Sequence, residues 1–192
     1  MGAGLPGPKA TSVTAEGDDD GFVVTSGWSA EATPTGDTRI VASVPLDDLP
    51  RVHAALIGAL DAPLGFLYRQ EVDRKNPRPQ GAPPRDHVGL ELTPDRVLGA
   101  LERSAPLVYG DARCEVWIRG RRGEQVVLDH DGLLFCYPDD PSFREALAGA
   151  GVPAEDVGTM TDRDYVKHWF RAEADALEDE LVRSLGLVVT GR

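Results

Sequence analysis

Residues 114–137 read CEVWIRGRRGEQVVLDHDGLLFCY, and this stretch decides the fold class. Cys114 to Arg119, Gln125 to Asp129 and Leu133 to Tyr137 are short runs with strand character. Gly120-Arg121-Arg122-Gly123 and His130-Asp131-Gly132 join them, and turn residues so placed predict a tight three-stranded meander. A register in which residue 119 faces 124 and 128 faces 133 puts Cys136 beside Gln125, and Gln125 beside Ile118, four residues from Cys114. At about 3.3 Å per residue and 4.8 Å per strand the thiols are then about 16 Å apart, beyond disulfide reach, so both are expected free.

Upstream, Phe22 to Trp28 and Thr38 to Pro45 flank the turn-forming stretch Thr33-Pro34-Thr35-Gly36-Asp37 and predict a hairpin. Asp47 or Asp48 then caps a helix with Pro50 in its first turn and Leu49, Val52, Leu56 and Leu60 on one face, which Asp61-Ala62-Pro63 stops. Gly65 to Val72 and His87 to Leu92 read as strands. Thr93-Pro94 opens a helix that Ala105-Pro106 ends. From residue 38 to 119 the order is strand, helix, strand, strand, helix, strand, the split βαβ order of a ferredoxin-like sheet. The expected class is therefore α+β, with that order extended by the meander and by C-terminal helices.

Downstream, Asp140-Pro141 starts a helix that Gly149 and Gly151 terminate. Thr161 and Asp164 stand at the spacing of a capping box. Phe170, Ala174, Leu177, Leu181 and Leu185 form an apolar stripe, so a final helix is expected from that cap to Gly186.

Residues 1–20 are rich in Gly, Pro, Ala and Thr and end in Asp18-Asp19-Asp20, which reads as a disordered acidic tail before one α+β domain over residues 21–192. No apolar run of 18 residues occurs, and Met1 to Asp20 lacks the basic start and apolar middle of a secretory signal. Gly2 is followed by Pro6 where a myristoylation signal wants Ser or Thr. The expected compartment is the cytoplasm. Three Lys accompany 17 Arg, a skew usual in proteins of GC-rich bacterial genomes.

A net charge of −12 disfavours nucleic acid, because phosphate binding needs clustered Lys and Arg. His53, His87, His130 and His168 fall on different elements with no H-x-x-x-H pair, so the usual helical zinc spacing is missing. Asp129-His130-Asp131-Gly132 fails the calcium-loop pattern, whose next positions are Leu133 and Leu134. No metal and no cofactor is expected. No G-x-S-x-G, phosphate-binding loop or paired-Cys motif is present. On the expected final helix, Asp164 and His168 lie one turn apart as an orienter and a base. Asp129, His130 and Asp131 are the other weak catalytic candidates.

Two charged features remain. The segment Arg69 to Asp86 carries Arg74, Lys75 and Arg78 among prolines and glycines, as functional loops do. Between Glu155 and Glu180 nine acids face three bases, and Asp175, Glu178 and Asp179 crowd one helical stretch. These six residues are the binding candidates. The favoured reading is a small acidic protein-binding domain that caps a basic protein partner, in the manner of an immunity or adaptor protein. An enzyme built on Asp164 and His168, or on Asp129, His130 and Asp131, is the alternative. A structural or small-molecule-binding domain is the third reading.

Overall fold

The turn chemistry of residues 120–133 does close a meander, but with longer turns than the sequence suggests. In the computed structural model, which describes residue 5 and residues 7–79, 81–169 and 171–190, Arg119 faces Gln125 and Leu128 faces Leu134. The Asp129 carboxylate causes the second shift: it accepts the N–H groups of Asp131 and Leu133 at 2.9 and 2.8 Å and wraps the turn around itself. Cys136 therefore sits beside Val126. Cys114 and Cys136 are both free and buried.

The described strands are β1 (Ala10–Ser12), β2 (Gly27–Ala32), β3 (Thr38–Ser43), β4 (Leu64–Gln70), β5 (Arg85–Leu92), β6 (Cys114–Arg119), β7 (Gln125–Leu128), β8 (Leu134–Tyr137), β9 (Tyr165–Lys167) and β10 (Val188–Val189). The helices are α1 (Leu49–Gly58), α2 (Pro94–Arg103), α3 (Ala105–Gly110), α4 (Pro141–Gly149) and α5 (Ala174–Leu185). Eight strands form one sheet in the order β10-β5-β4-β6-β7-β8-β3-β2, with every recorded pairing antiparallel. β1 and β9 form a separate antiparallel pair.

The class is α+β, and the ferredoxin-like order does not occur. β3 and β4 run parallel, as a βαβ crossover requires, but all three strands of the meander lie between them where the split order allows one. Local sequence sets strand type, whereas pairing is set by which apolar faces meet, and here β8 closes against β3.

All five described helices pack on one side of the sheet. Leu56 of α1, Leu101 of α2, Val108 of α3, Phe143 of α4 and Leu181 of α5 join a single buried cluster with Ile40, Phe66, Tyr68, Val116, Ile118 and Leu134 from the strands. Two of the expected caps form hydrogen bonds: the Thr93 side chain accepts the Arg96 N–H, and Asp140 accepts that of Ser142, whereas Asp48 stands at the N-cap of α1 without a side-chain capping bond. α2 ends at Arg103, just before Ala105-Pro106 as expected, and Pro106 then stands in the first turn of α3, because proline is as acceptable in a first turn as after a last one. Among the described residues no helix is long and apolar enough to cross a membrane.

Two expectations change at the ends of the chain. The final helix begins at Ala174, not near Thr161: a capping box does form, between Thr159 and Asp162, but it closes one 3-10 turn, Met160–Asp162. The following residues extend into β9, and Phe170 lies outside the described residues. The partner of β9 is β1, inside the stretch read as a disordered tail. Ala10 and Ser12 are buried there, and the Lys9 ammonium, 1 % exposed, donates to the carbonyls of Cys114 and Asp129 at 2.9 and 2.8 Å. Composition alone misses this because few side chains are involved, and a distant strand supplies the backbone partners. Met1–Gly4 and Pro6, within the same expected tail, lie outside the described residues.

Candidate functional site

Four of the six residues singled out for binding, Arg74, Lys75, Asp175 and Asp179, meet each other, while Glu178 and Arg78 find other partners. Asp175, at the start of α5, accepts Arg74 Nε at 2.9 Å, Arg74 Nη2 at 2.5 Å and Arg113 Nη1 at 2.7 Å. The Arg74 hydrogen bond above all, with Arg113 behind it, holds the Asp175 carboxyl well below the usual carboxylate range. Lys75 Nζ reaches Asp179 at 2.6 Å and the Asp175 carbonyl at 2.9 Å. Glu178 is buried and accepts from Tyr68 Oη at 2.5 Å and Gln70 Nε2 at 2.9 Å. Arg78 spends its donors on the carbonyls of Gln70, Glu71 and Pro83. The basic loop and the acidic helix thus answer one another within the chain.

Asp164 and His168 do not form a dyad. They flank β9, where four residues of extended chain span about 13 Å, whereas on a helix they would share a face. The His168 ring instead meets Thr11 Oγ1 at 2.8 Å, and burial lowers its pKa.

The Asp129-His130-Asp131 turn divides by role. Asp129 is consumed by its own turn, and burial raises its pKa. His130 lies between the turn and β6, with Nδ1 2.7 Å from Glu115 Oε1 and Nε2 3.5 Å from Asp131 Oδ2. Its ring stacks on Trp169, with centroids 6.4 Å apart. The hydrogen bond to Glu115 raises the His130 pKa against the cost of burial. Glu71, just beyond β4, completes the group: its carboxylate, the Glu115 carboxylate and the His130 ring bring ligand atoms within 4.8 Å of one another. Glu71 and Glu115 belong to different elements, so no spacing along the chain announces them.

The face of the sheet opposite the helices carries a feature that pattern reading also misses. Following the register from strand to strand, Val188 faces Val88, which faces Leu67, then Trp117, Val127, Phe135, Val41 and Ser29. One row thus crosses all eight strands, about 34 Å in length, and seven of its eight residues are apolar. An antiparallel sheet covered on one side ordinarily turns polar residues to the other. Toward the β3 edge the row is roofed, with the Arg39 guanidinium 4.5 Å from the Phe135 ring centroid. Toward the β10 edge it is bare: Leu90 is 71 % and Val188 65 % exposed.

A hollow of about 260 Å³ lies at the bare end, lined by Gly65, Phe66, Leu67, Val88, Leu90, Trp117, Arg119 and Gln125. Two local causes shape it. Gly65 supplies no side chain to its floor, and the shifted register between Leu64 and Phe66 bulges Leu90 and Glu91 out of β5 to form a wall. Arg119 stands exposed at the rim, its backbone paired in the sheet with Gly65 and Gln125, and its guanidinium forms no ion pair among the described residues.

Fold and face together define an α+β domain whose sheet carries helices on one face and a partly apolar second face that is bare toward β10. Compared with known proteins, the chain matches no family model, no curated protein and no solved structure.

Proposed function

We propose that the protein is a binding domain that docks a partner polypeptide on the uncovered face of its sheet. A large apolar side chain of the partner enters the Gly65 hollow, and a neighbouring carboxylate pairs with Arg119. The bare end of the apolar row carries this reading: Val188 and Leu90 stand exposed beside the half-buried Val88, Leu67 and Trp117, and apolar surface rimmed by polar groups marks interaction sites. Trp117 beside the hollow and Arg119 on its rim are the residue types that dominate binding energy at interfaces. The acidic side of α5 is the weaker choice for a basic partner, since Arg74, Lys75 and Arg113 already engage its carboxylates.

Selection of displayed random peptides on the wild-type protein, with counter-selection on Gly65→Val, tests the reading. Enriched peptides should carry an aromatic residue, Leu or Met within about four residues of Asp or Glu, and should bind Arg119→Glu at least about tenfold more weakly. Failure to enrich any sequence, or peptides that bind Gly65→Val and Arg119→Glu as well as wild type, would overturn it.

A further inference from the structure

We infer that Glu71, Glu115 and His130 form a binding site for one divalent transition-metal ion, independent of any docking on the sheet. The three come from the end of β4, from β6 and from the turn after β7, and their ligand atoms already lie within 4.8 Å of one another. One imidazole with two carboxylates is a borderline donor set, suited to ions such as Zn²⁺ or Mn²⁺ rather than to Ca²⁺, which prefers an all-oxygen shell.

The surroundings match those of a ligand set. His130 turns Nδ1 toward Glu115 and Nε2 toward Asp131 Oδ2, 3.5 Å away, so Asp131 stands where a metal-bound histidine keeps its orienting carboxylate. Trp117 Nε1 donates to Glu115 Oε2 at 3.0 Å and fixes that carboxylate while leaving Oε1 on the side of His130. Glu71 is the incomplete member: among the described residues its carboxylate accepts no recorded hydrogen bond, although Glu115 stands beside it with like charge. A cation between them removes that conflict. The nearby bases place their closest contacts on acids outside the three ligands. Arg69, 3.9 Å from Glu115 Oε2, forks onto Asp86 at 3.0 and 3.2 Å, and Lys167 lies 2.9 Å from Asp131 Oδ1. His130 is 28 % exposed, so water can complete the coordination.

Zinc chloride alone, titrated calorimetrically into metal-free full-length protein and followed by native mass spectrometry, provides the test. The expected result is one ion per chain and a raised melting temperature. Glu71→Gln, a side chain with no hydrogen bond to lose, should melt like the metal-free wild type yet bind at least about tenfold more weakly. Asp131→Asn should weaken binding about tenfold by releasing the imidazole. No uptake at millimolar zinc, or uptake by Glu71→Gln and His130→Gln equal to wild type, would overturn the assignment.

Discussion

The Arg113 guanidinium lies 2.8 Å from the Asp111 carboxylate, and neither side chain reaches solvent. Asp111 also accepts the N–H of Arg113 and of Arg171, while Arg113 donates to Asp175 and to the Arg171 carbonyl. The pair is the hub that ties β6 to the start of α5.

Breaking that hub should be costly. Arg113→Met strands the Asp111 charge in the interior, and the expected loss is about 3–5 kcal/mol, read as a lower midpoint in urea denaturation. Replacing Asp111 and Arg113 together with apolar residues should cost less than Arg113→Met alone, because the Asp111 charge is then gone and only Glu178, 3.8 Å from the guanidinium, still loses a buried cation. Equal losses would mean that burial of the charge is not the cause.

Removal of residues 1–13 should destabilise the domain, because β1 leaves β9 and the Lys9 ammonium leaves the carbonyls of Cys114 and Asp129. Lys9→Met alone should cost about 1–3 kcal/mol by orphaning two buried acceptors. Urea midpoints of the full chain, the truncation and Lys9→Met decide the matter, and an unchanged midpoint on truncation would show that β1 contributes nothing.

Acid should weaken the fold through His53. The ring is buried against Tyr109, with Nδ1 3.2 Å from the hydroxyl, and burial pushes its pKa down to about 3, assisted by the charge of Lys9. Between pH 6.5 and 3 the unfolded chain takes up a proton that the native state refuses, so stability falls with pH across that window, by about 4 kcal/mol in all. Above pH 6.5 the ring is neutral in both states and the contribution is flat. Asp175, held below the usual carboxylate range, adds a loss in the same direction at the acid end. Chemical denaturation as a function of pH should show a shallower acid slope for His53→Phe than for wild type.

Filling the hollow should leave the fold intact. A Cβ added at Gly65 meets Leu90 Cδ2 at 3.6 Å and the Arg119 carbonyl at 3.8 Å, both ordinary contacts. Gly65→Val should therefore melt with a stability within about 1 kcal/mol of wild type, offset in part by the better strand propensity of valine. A large fall in melting temperature would mean that the floor of the hollow is tighter than those distances imply.

Local signals in the sequence were strongest where structure depends on neighbours in the chain. The meander, the Thr93 and Asp140 caps and the Pro141 start of α4 all rest on contacts within a few residues, and all are present. The signal failed where pairing is distant. β3 pairs with β8, nearly a hundred residues on, and β1 with β9, farther still; neither leaves a mark in composition or periodicity. Thr161 and Asp164 misled because the spacing is met two residues earlier as well, and it is Thr159 and Asp162 that close a box there, on a single 3-10 turn. The candidate site was less legible than the fold. The Arg74 and Asp175 patches were visible as charge but not as each other's partners, and His130 was visible without Glu71 and Glu115. Leu67, Trp117 and Val127 belong to one row only after the register is known.

The pairing of Thr11 with Val166 bears on synthesis. The ribosome makes residues 10–12 early, but the strand that completes their hydrogen bonds follows more than 150 residues later. Cys114 and Asp129, whose carbonyls hold Lys9, are also made long after it. A nascent chain stalled before Tyr165 thus leaves residues 10–12 without the strand that pairs them, and closure of this pair waits for β9 to clear the exit tunnel.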